Sequence, residues 1–310
     1  MEEGAKGTSC CITNSGSCAN TFPEKNKKKR SEVVLRIGGG ISDGSPYLKS
    51  TTNIGCMRAI ITGASAGIGQ EMARQCHAKG LEVWLTGQNR DALTRLSKEL
   101  SDAPWLSVDL SQKEGQIALL TWVADIEIDL WVNNAGYGAW TDVIDAKEDQ
   151  LEKMIRLNVE ALVHLSRVMA KKMVQRGQGR ILNVASTAAF LPGPHMAAYY
   201  ASKAFVLSFS ESLHWELRGS GVTVTTLCPG PTRSQFFTRA GMGKMPLLDG
   251  PWMPIMSSGA VARAGIRATF SGKRRMVPGI FNYLSSLAPI FIPRFAQLGI
   301  LNWLQGTKNQ

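Results

Sequence analysis

The stretch Thr62-Gly63-Ala64-Ser65-Ala66-Gly67-Ile68-Gly69 follows the apolar run Ala59-Ile60-Ile61 and leads into Gln70-Glu71-Met72-Ala73-Arg74-Gln75-Cys76. The branched residues of the first run read as a buried strand, and the last stretch has the composition of a helix. Strand, glycine loop and helix in that order suit a dinucleotide. Backbone N–H groups and the positive end of the helix dipole face the pyrophosphate, and missing side chains let it approach. Gly63 is expected to make the turn, Gly67 to admit the phosphates and Gly69 to let the helix pack on the strand. The spacing is G-x-x-x-G-x-G rather than G-x-G-x-x-G, and a glycine turn can serve the turn alone. This stretch by itself leaves cofactor binding open.

Beyond the loop, strand-like and helical runs alternate. Strands are expected at Ala59–Ile61, Glu82–Leu85, Trp105–Val108, Ile128–Val132, Arg180–Val184 and Val222–Leu227. Helices are expected near 67–79, 91–100, 112–124, 147–174 and 197–217. Parallel neighbours need a crossover, so the alternation predicts an α/β fold: a doubly wound, Rossmann-like parallel sheet of about seven strands in a single domain. Such a sheet binds its ligand at the carboxyl ends of the strands. Asp109, Asn133-Asn134-Ala135-Gly136, Ser186-Thr187 and Pro229-Gly230-Pro231-Thr232-Arg233-Ser234 each follow a predicted strand and so collect on one edge.

Composition bounds the rest. The 310 residues are 44% hydrophobic and 19% charged, as in a globular protein. Net charge is +11, of which residues 1–56 hold 8 Lys/Arg against 5 Asp/Glu. A basic domain fits an anionic cofactor, acidic lipid or nucleic acid, but no basic stripe is interleaved with aromatics, so nucleic acid is discounted. Residues 1–56 lack any useful helical or strand period and carry the basic run Lys25–Arg30 and the glycine run Gly38–Gly40. They are expected to be a disordered extension or an upstream stretch foreign to the natural product, with the folded unit at 57–310. Four of six cysteines lie before residue 57. Cys76 and Cys228 remain, expected as small core residues rather than a disulfide or metal site, in a reducing, cytoplasmic setting.

Tyr199 and Lys203 stand four apart on a predicted helix and share a face; Tyr200 is the rival. A phenol of pKa about 10 is a poor base at neutral pH, and a nearby ammonium favours the phenolate. Ser186 could hydrogen-bond a substrate oxygen, and Asn158 could hold a water that relays protons to Lys203. Each also has an ordinary reading: Ser186 as a cap, Asn158 as a polar helix residue, Lys203 on a solvated face.

Together these motifs resemble the short-chain dehydrogenase/reductase superfamily. The resemblance covers almost all of 57–310 and none of 1–56. It rests on Thr62–Gly69, Asn133–Gly136, Asn158 within Leu157-Asn158-Val159, Ser186, Tyr199/Lys203 and Pro229–Ser234. Ser186 lies thirteen residues before Tyr199, as in many members, which selects Tyr199 over Tyr200. The family's usual threonine at the end of the last loop is Ser234 here, which keeps the hydroxyl. The resemblance implies a catalytic set of Asn158, Ser186, Tyr199 and Lys203. Tyr199 would exchange a proton with the alcohol or carbonyl oxygen while the nicotinamide exchanges a hydride with its carbon. Ser186 would orient that oxygen; Lys203 would bind the nicotinamide ribose and lower the pKa of Tyr199. Implied cofactor contacts are Gly63, Ser65, Gly67, Ile68, Gly69, Asp109 beside the adenine, Asn134, Tyr199, Lys203, and Pro229, Thr232 and Ser234 around the carboxamide.

After the second strand the chain reads Gly87-Gln88-Asn89-Arg90, with no carboxylate before Asp91. A carboxylate there would repel a 2′-phosphate. NADP(H) is therefore favoured, with Arg90 as its partner, and NAD(H) is left open. A substrate lid is expected near 232–256. Its Phe236, Phe237, Met242, Met245, Leu247 and Leu248, with Phe190, Leu191 and Met196, favour an apolar ketone, aldehyde or acyl chain. Segment 278–306 is apolar with the single charge Arg294, while Pro289, Pro293 and Gly299 argue against one spanning helix. Interfacial helices with peripheral membrane contact, or a flap over the cleft, are expected there. A homodimer or homotetramer pairing the helices near 147–174 and 197–217 is implied by the family. The alternatives are a 3-oxoacyl-thioester reductase and, in another class, a regulatory protein that binds cofactor without turnover. The intact Asn158, Ser186, Tyr199 and Lys203 count against the last.

Overall fold

Residues 57–234 and 255–305 are described by the computed structural model of the chain. The expected extension 1–56 lies outside the described residues, as do residues 235–254 of the lid expected near 232–256.

Branched and apolar runs become the strands β1 (Arg58–Thr62), β2 (Glu82–Gly87), β3 (Trp105–Ser107), β4 (Leu130–Asn133), β5 (Gly179–Val184) and β6 (Val222–Leu227). Two short strands follow, β7 (Thr232–Arg233) and β8 (Met256–Ser257), which pair with each other. A last strand, β9 (Arg275–Met276), joins the main sheet. That sheet has seven strands in the order β3-β2-β1-β4-β5-β6-β9, with every described pairing parallel. The order reverses between β1 and β4, which opens a crevice at their carboxyl ends.

Side chains alternate between two cores, as the period of a strand requires. Ala59, Ile61, Leu130, Val132 and Leu182 face the helices α1 (Gly67–Ala78) and α2 (Arg90–Glu99). Ile60, Trp131, Ile181 and Val224 face the helix α3 (Lys113–Trp122) on the other side. Every described side chain of β4 is buried, which is the signature of a strand covered on both faces.

The helix expected near 147–174 arrives in three pieces: α4 (Glu148–Ile155), a π-helical turn at Arg156–Ala161, and α5 (Leu162–Arg176). The widened turn carries Asn158, whose side chain bonds outside its own helix. Inserted turns of this kind often mark functional sites. Next come a short 3₁₀ turn (Thr187–Phe190), α6 (Ala197–Glu216) and α7 (Ser258–Phe270), which packs against the α1 face through Val261 and Ile266. The chain then forms α8 (Ile280–Phe291) and α9 (Arg294–Gln305). Pro293 separates these two, and Gln297 Nε2 donates to the freed carbonyls of Pro289 (2.9 Å) and Ile292 (2.7 Å). Among the described residues no helix is long and apolar enough to cross a membrane.

Candidate active site

The glycine loop owes its shape to β1 and β4. Thr62 Oγ1 donates to Val132 O (3.1 Å) and accepts from the backbone N–H groups of Asn134 and Ala135 (3.0 Å each). Asn134 Nδ2 donates in turn to Thr62 O (3.0 Å) and Gly63 O (3.2 Å). Gly63 takes φ +66° in this clamp, where a Cβ would lie 2.8 Å from Asn134 Nδ2. A side chain there is excluded both by conformation and by space. Gly69 is a packing glycine: its missing Cβ would run into the Gly63 carbonyl and the Asn134 amide.

Helix α1 begins after Ala66, which offers no side-chain cap, and its first turn holds no acidic residue. Its leading N–H groups therefore keep their donors for an anion. They face a cavity of about 1150 Å³ that runs along the carboxyl ends of the strands. Of the expected site residues, Gly63, Ser65, Gly67, Ile68, Asp109, Asn134, Ser186, Tyr199, Lys203, Pro229, Thr232 and Ser234 all line it. Uncapped donors, an open glycine loop and polar groups from four strand ends fit a dinucleotide.

Three expected residues stand elsewhere. Gly69 is behind the loop, as described. Asn158 is buried beneath the cavity wall. Its Nδ2 donates to Tyr137 O (2.9 Å) and Ser202 Oγ (3.1 Å), and its Oδ1 accepts from Tyr137 N (3.2 Å). Both amide N–H groups and one lone pair of the oxygen are thus engaged by protein. A Cβ on Gly136 would sit 2.9 Å from Asn158 Oδ1 and 3.4 Å from Lys203 Nζ, so the Asn133–Gly136 loop runs between these two side chains. Arg90 departs from its expected place. It is exposed at the start of α2, with its guanidinium 5.5 Å from the Trp105 ring centroid. Opening α2 turns the side chain toward the neighbouring strand rather than the cleft.

The central residues are set by α6. Tyr199 and Lys203 lie on its buried face, with Lys203 Nζ 5.8 Å from the Tyr199 ring centroid and donating to Val184 O (3.0 Å). Ser186 caps the 3₁₀ turn by accepting from Ala188 N (3.1 Å). Burial pushes the Tyr199 phenol above its ordinary range, and a hydrogen bond with Ser186 works in the opposite sense. Burial also pushes Lys203 down to about 8. Desolvation dominates the phenol, and the influence that opposes it comes from Ser186 rather than from the expected Lys203. Tyr200 also lines the cavity, its ring edge-on to Tyr199 at 6.2 Å and stacked over Gly193. It is the less buried of the two.

Several lining residues escaped the sequence reading. Tyr137 and Ser111 sit in loops and Leu157 in the π-helical turn, where reach depends on tertiary packing; Ser111 donates its backbone N–H and its hydroxyl to Asp109 Oδ1 (2.9 and 2.7 Å). From the far end of the chain, Phe281, Ser285, Pro289, Ile292 and Ile300 reach the same cavity, while Leu191 and Met196 line it as expected. A smaller polar pocket of about 350 Å³ adjoins Ser65, Ala66 and Gly67, and it carries Arg95 and Arg233. Asn89, Ala92 and Arg95 share one side of α2 by helical spacing, a signal that a reading centred on the strand end passes over.

Known proteins with similar sequences and structures agree with this architecture. The rat very-long-chain 3-oxoacyl-CoA reductase is 28% identical over 76% of this chain and 76% of its own. The 3-oxoacyl-(acyl-carrier-protein) reductase of Rickettsia prowazekii is 36% identical over 57% of this chain and 73% of its own. A solved short-chain dehydrogenase from Sphingobium yanoikuyae, in complex with NADPH, aligns with a TM-score of 0.66 at 26% identity. That alignment covers 82% of this chain and all of the other. Residues 57–243 match the short chain dehydrogenase family, and the chain belongs to it as an NAD(P)-dependent oxidoreductase acting on carbonyl and alcohol groups.

Proposed function

We propose that the chain is an NADP(H)-dependent reductase of apolar carbonyl compounds, with Tyr199 as the general acid/base. The observation that carries this reading is the meeting of Ser186, Tyr199 and Lys203 in the cavity that begins at the uncapped end of α1. Bound there, the nicotinamide supplies the hydride to the substrate carbon in reduction and accepts it in oxidation. Tyr199 gives its phenolic proton to the carbonyl oxygen, or takes a proton back from the alcohol. Burial raises the Tyr199 phenol and so makes it a weaker acid, while its hydrogen bond with Ser186 opposes that rise and favours release of the proton. Ser186 polarises the same oxygen. Lys203, held by Val184 O, sits where it can meet a ribose hydroxyl and the Tyr199 ring. Asn158 acts as a positioning residue: it ties the backbone of Tyr137 to Ser202, one residue before Lys203.

The preference for NADP(H) rests on the missing carboxylate after β2, and on Arg95 and Arg233 in the pocket beside the glycine loop. The Sphingobium relative bound to NADPH supports it. Cofactor fluorescence titration should give tighter binding of NADPH than NADH. Arg95→Gln with Arg233→Gln should erase the difference, and Arg90→Gln should not. A wild-type preference for NADH would overturn the assignment.

The 3-oxoacyl-thioester reading has a specific observation behind it: both curated relatives above carry 3-oxoacyl reductase names. A panel of ketones and 3-oxoacyl thioesters, followed by NADPH absorbance, separates the two. Turnover of neither class would sink the reductase reading. The proposed state is a cytoplasmic homodimer or homotetramer through α4–α5 and α6, where Phe205 is exposed, with peripheral membrane contact through segment 278–306.

A further inference from the structure

Helices α8 and α9 are apolar on two sides. One side closes the cavity with Phe281, Ser285, Ala288, Pro289, Ile292 and Ile300. The other leaves Ile290, Phe291 and Phe295 exposed at 72%, 82% and 79%, with Ile280 and Leu284 also open. A soluble monomer rarely leaves so much apolar surface uncovered. Each helix has 12 residues, too short to span a bilayer but long enough to lie in its interface.

Charge decides what covers this face. Residues 278–306 carry one charge, Arg294, and no Asp/Glu. A second copy meeting this face would bring its own Arg294 with no acidic residue in the segment to pair it, whereas an anionic lipid headgroup supplies that partner. Arg294 lies at the junction of the helices, where a headgroup would meet it while Phe291 and Phe295 enter the acyl boundary.

We propose that α8 and α9 dock the protein on an anionic bilayer surface, and that the carbonyl substrate passes from that lipid phase between these helices into the cavity. The docking stands on the exposed face and the charge; the substrate route rests in addition on the reductase reading above. The ligand class is then a membrane-dissolved ketone or acyl compound, whose apolar body needs no aqueous passage.

The test is vesicle flotation of the full chain with phosphatidylcholine alone and with phosphatidylcholine plus phosphatidylserine. Wild type should float with the anionic vesicles, less so at high salt. Phe291→Asp with Phe295→Asp should weaken the partition by about a hundredfold, as expected for losing two buried phenyl groups. Both residues are exposed and outside the cavity lining, so turnover of a water-soluble ketone should be unchanged while turnover of a vesicle-dissolved ketone falls. Ile290→Asp is a second variant with the same expectation. Wild type that never floats overturns the docking, whatever its turnover. A variant that loses flotation yet reduces the vesicle-dissolved ketone at the wild-type rate overturns the route alone. Failure of every protein to reduce any ketone overturns the reductase reading and the route, and leaves flotation to decide the docking. A wild-type dimer made monomeric by the Phe substitutions, without vesicle binding, gives the face to a second copy and overturns the proposal.

Discussion

Lys203→Met should make the protein more stable and inactive at once. The Lys203 ammonium is 6% exposed and has one described hydrogen-bond acceptor, Val184 O. Burial lowers its pKa from 10.5 to about 8. The unfolded chain keeps this proton up to 10.5, whereas the folded chain releases it near 8, so between those values the unfolded state binds more protons. Stability therefore rises with pH across that window: the penalty is full below 8 and gone above 10.5. The depression corresponds to about 3 kcal/mol of destabilisation at neutral pH. Methionine fills a similar volume without charge but leaves the Val184 carbonyl short of a donor, at about 1 kcal/mol. The net gain is about 2 kcal/mol, or about 4–8 °C in Tm for a domain of this size. Calorimetry of both proteins without cofactor, at neutral pH and again near 10.5, measures it directly. The variant should melt higher at neutral pH, the advantage should vanish at the alkaline end, and turnover should be lost throughout. A variant that melts below wild type at neutral pH, or a difference unchanged by pH, would refute the reasoning.

Tyr199→Phe should lower kcat by about 10²–10⁴ and leave the cofactor dissociation constant near wild type, while Tyr200→Phe is mild. Reversed effects, read by steady-state kinetics and fluorescence titration, would put the acid/base in the wrong register. Gly69→Ala presses a methyl group into the Gly63 carbonyl and the Asn134 amide, and should destabilise by about 1–3 kcal/mol in urea denaturation with weaker cofactor affinity. Residues 57–310 expressed alone should melt and turn over like the full chain, since the matched family begins at residue 57; an unfolded product would show a structural role for 1–56.

Much of the fold was legible because period and branching survive in short strands. Ala59 and Ile61 went to one core and Ile60 to the other, as alternation requires, and β5 and β6 fell within a residue of their expected bounds. The seventh strand, Arg275–Met276, has two residues and two side chains of opposite chemistry, so no window could detect it. The break in the helix near 147–174 was equally hidden. Leu157-Asn158-Val159 satisfies helical periodicity, and the π turn follows from the contact of Asn158 with Tyr137 and Ser202, residues distant in sequence. Arg90 was misplaced for a related reason. Position after a strand says which residues stand near the cleft, but only helix phase says which point into it, and that phase favours Asn89, Ala92 and Arg95.

Tyr199 and Tyr200 show where residue spacing is sufficient and where it fails. Both are within one helical turn of Lys203, and both line the cavity, so adjacency and exposure to ligand leave them equal. Distance from Ser186 in the sequence separates them only by analogy with relatives. The physical distinction is burial: Tyr199 lies on the face of α6 that also carries Ser202, Lys203 and Val206, all within 6% exposure. Tyr200 falls about 100° round the helix and packs its ring over Gly193. Burial raises the phenol of Tyr199, and its bond to Ser186 opposes that rise, so the chemistry of this hydroxyl responds to what fills the cavity beside it. One helix phase thus buries the tyrosine and the lysine together, and in the mechanism proposed above the burial opposes ionisation of the phenol while the bond to Ser186 favours it.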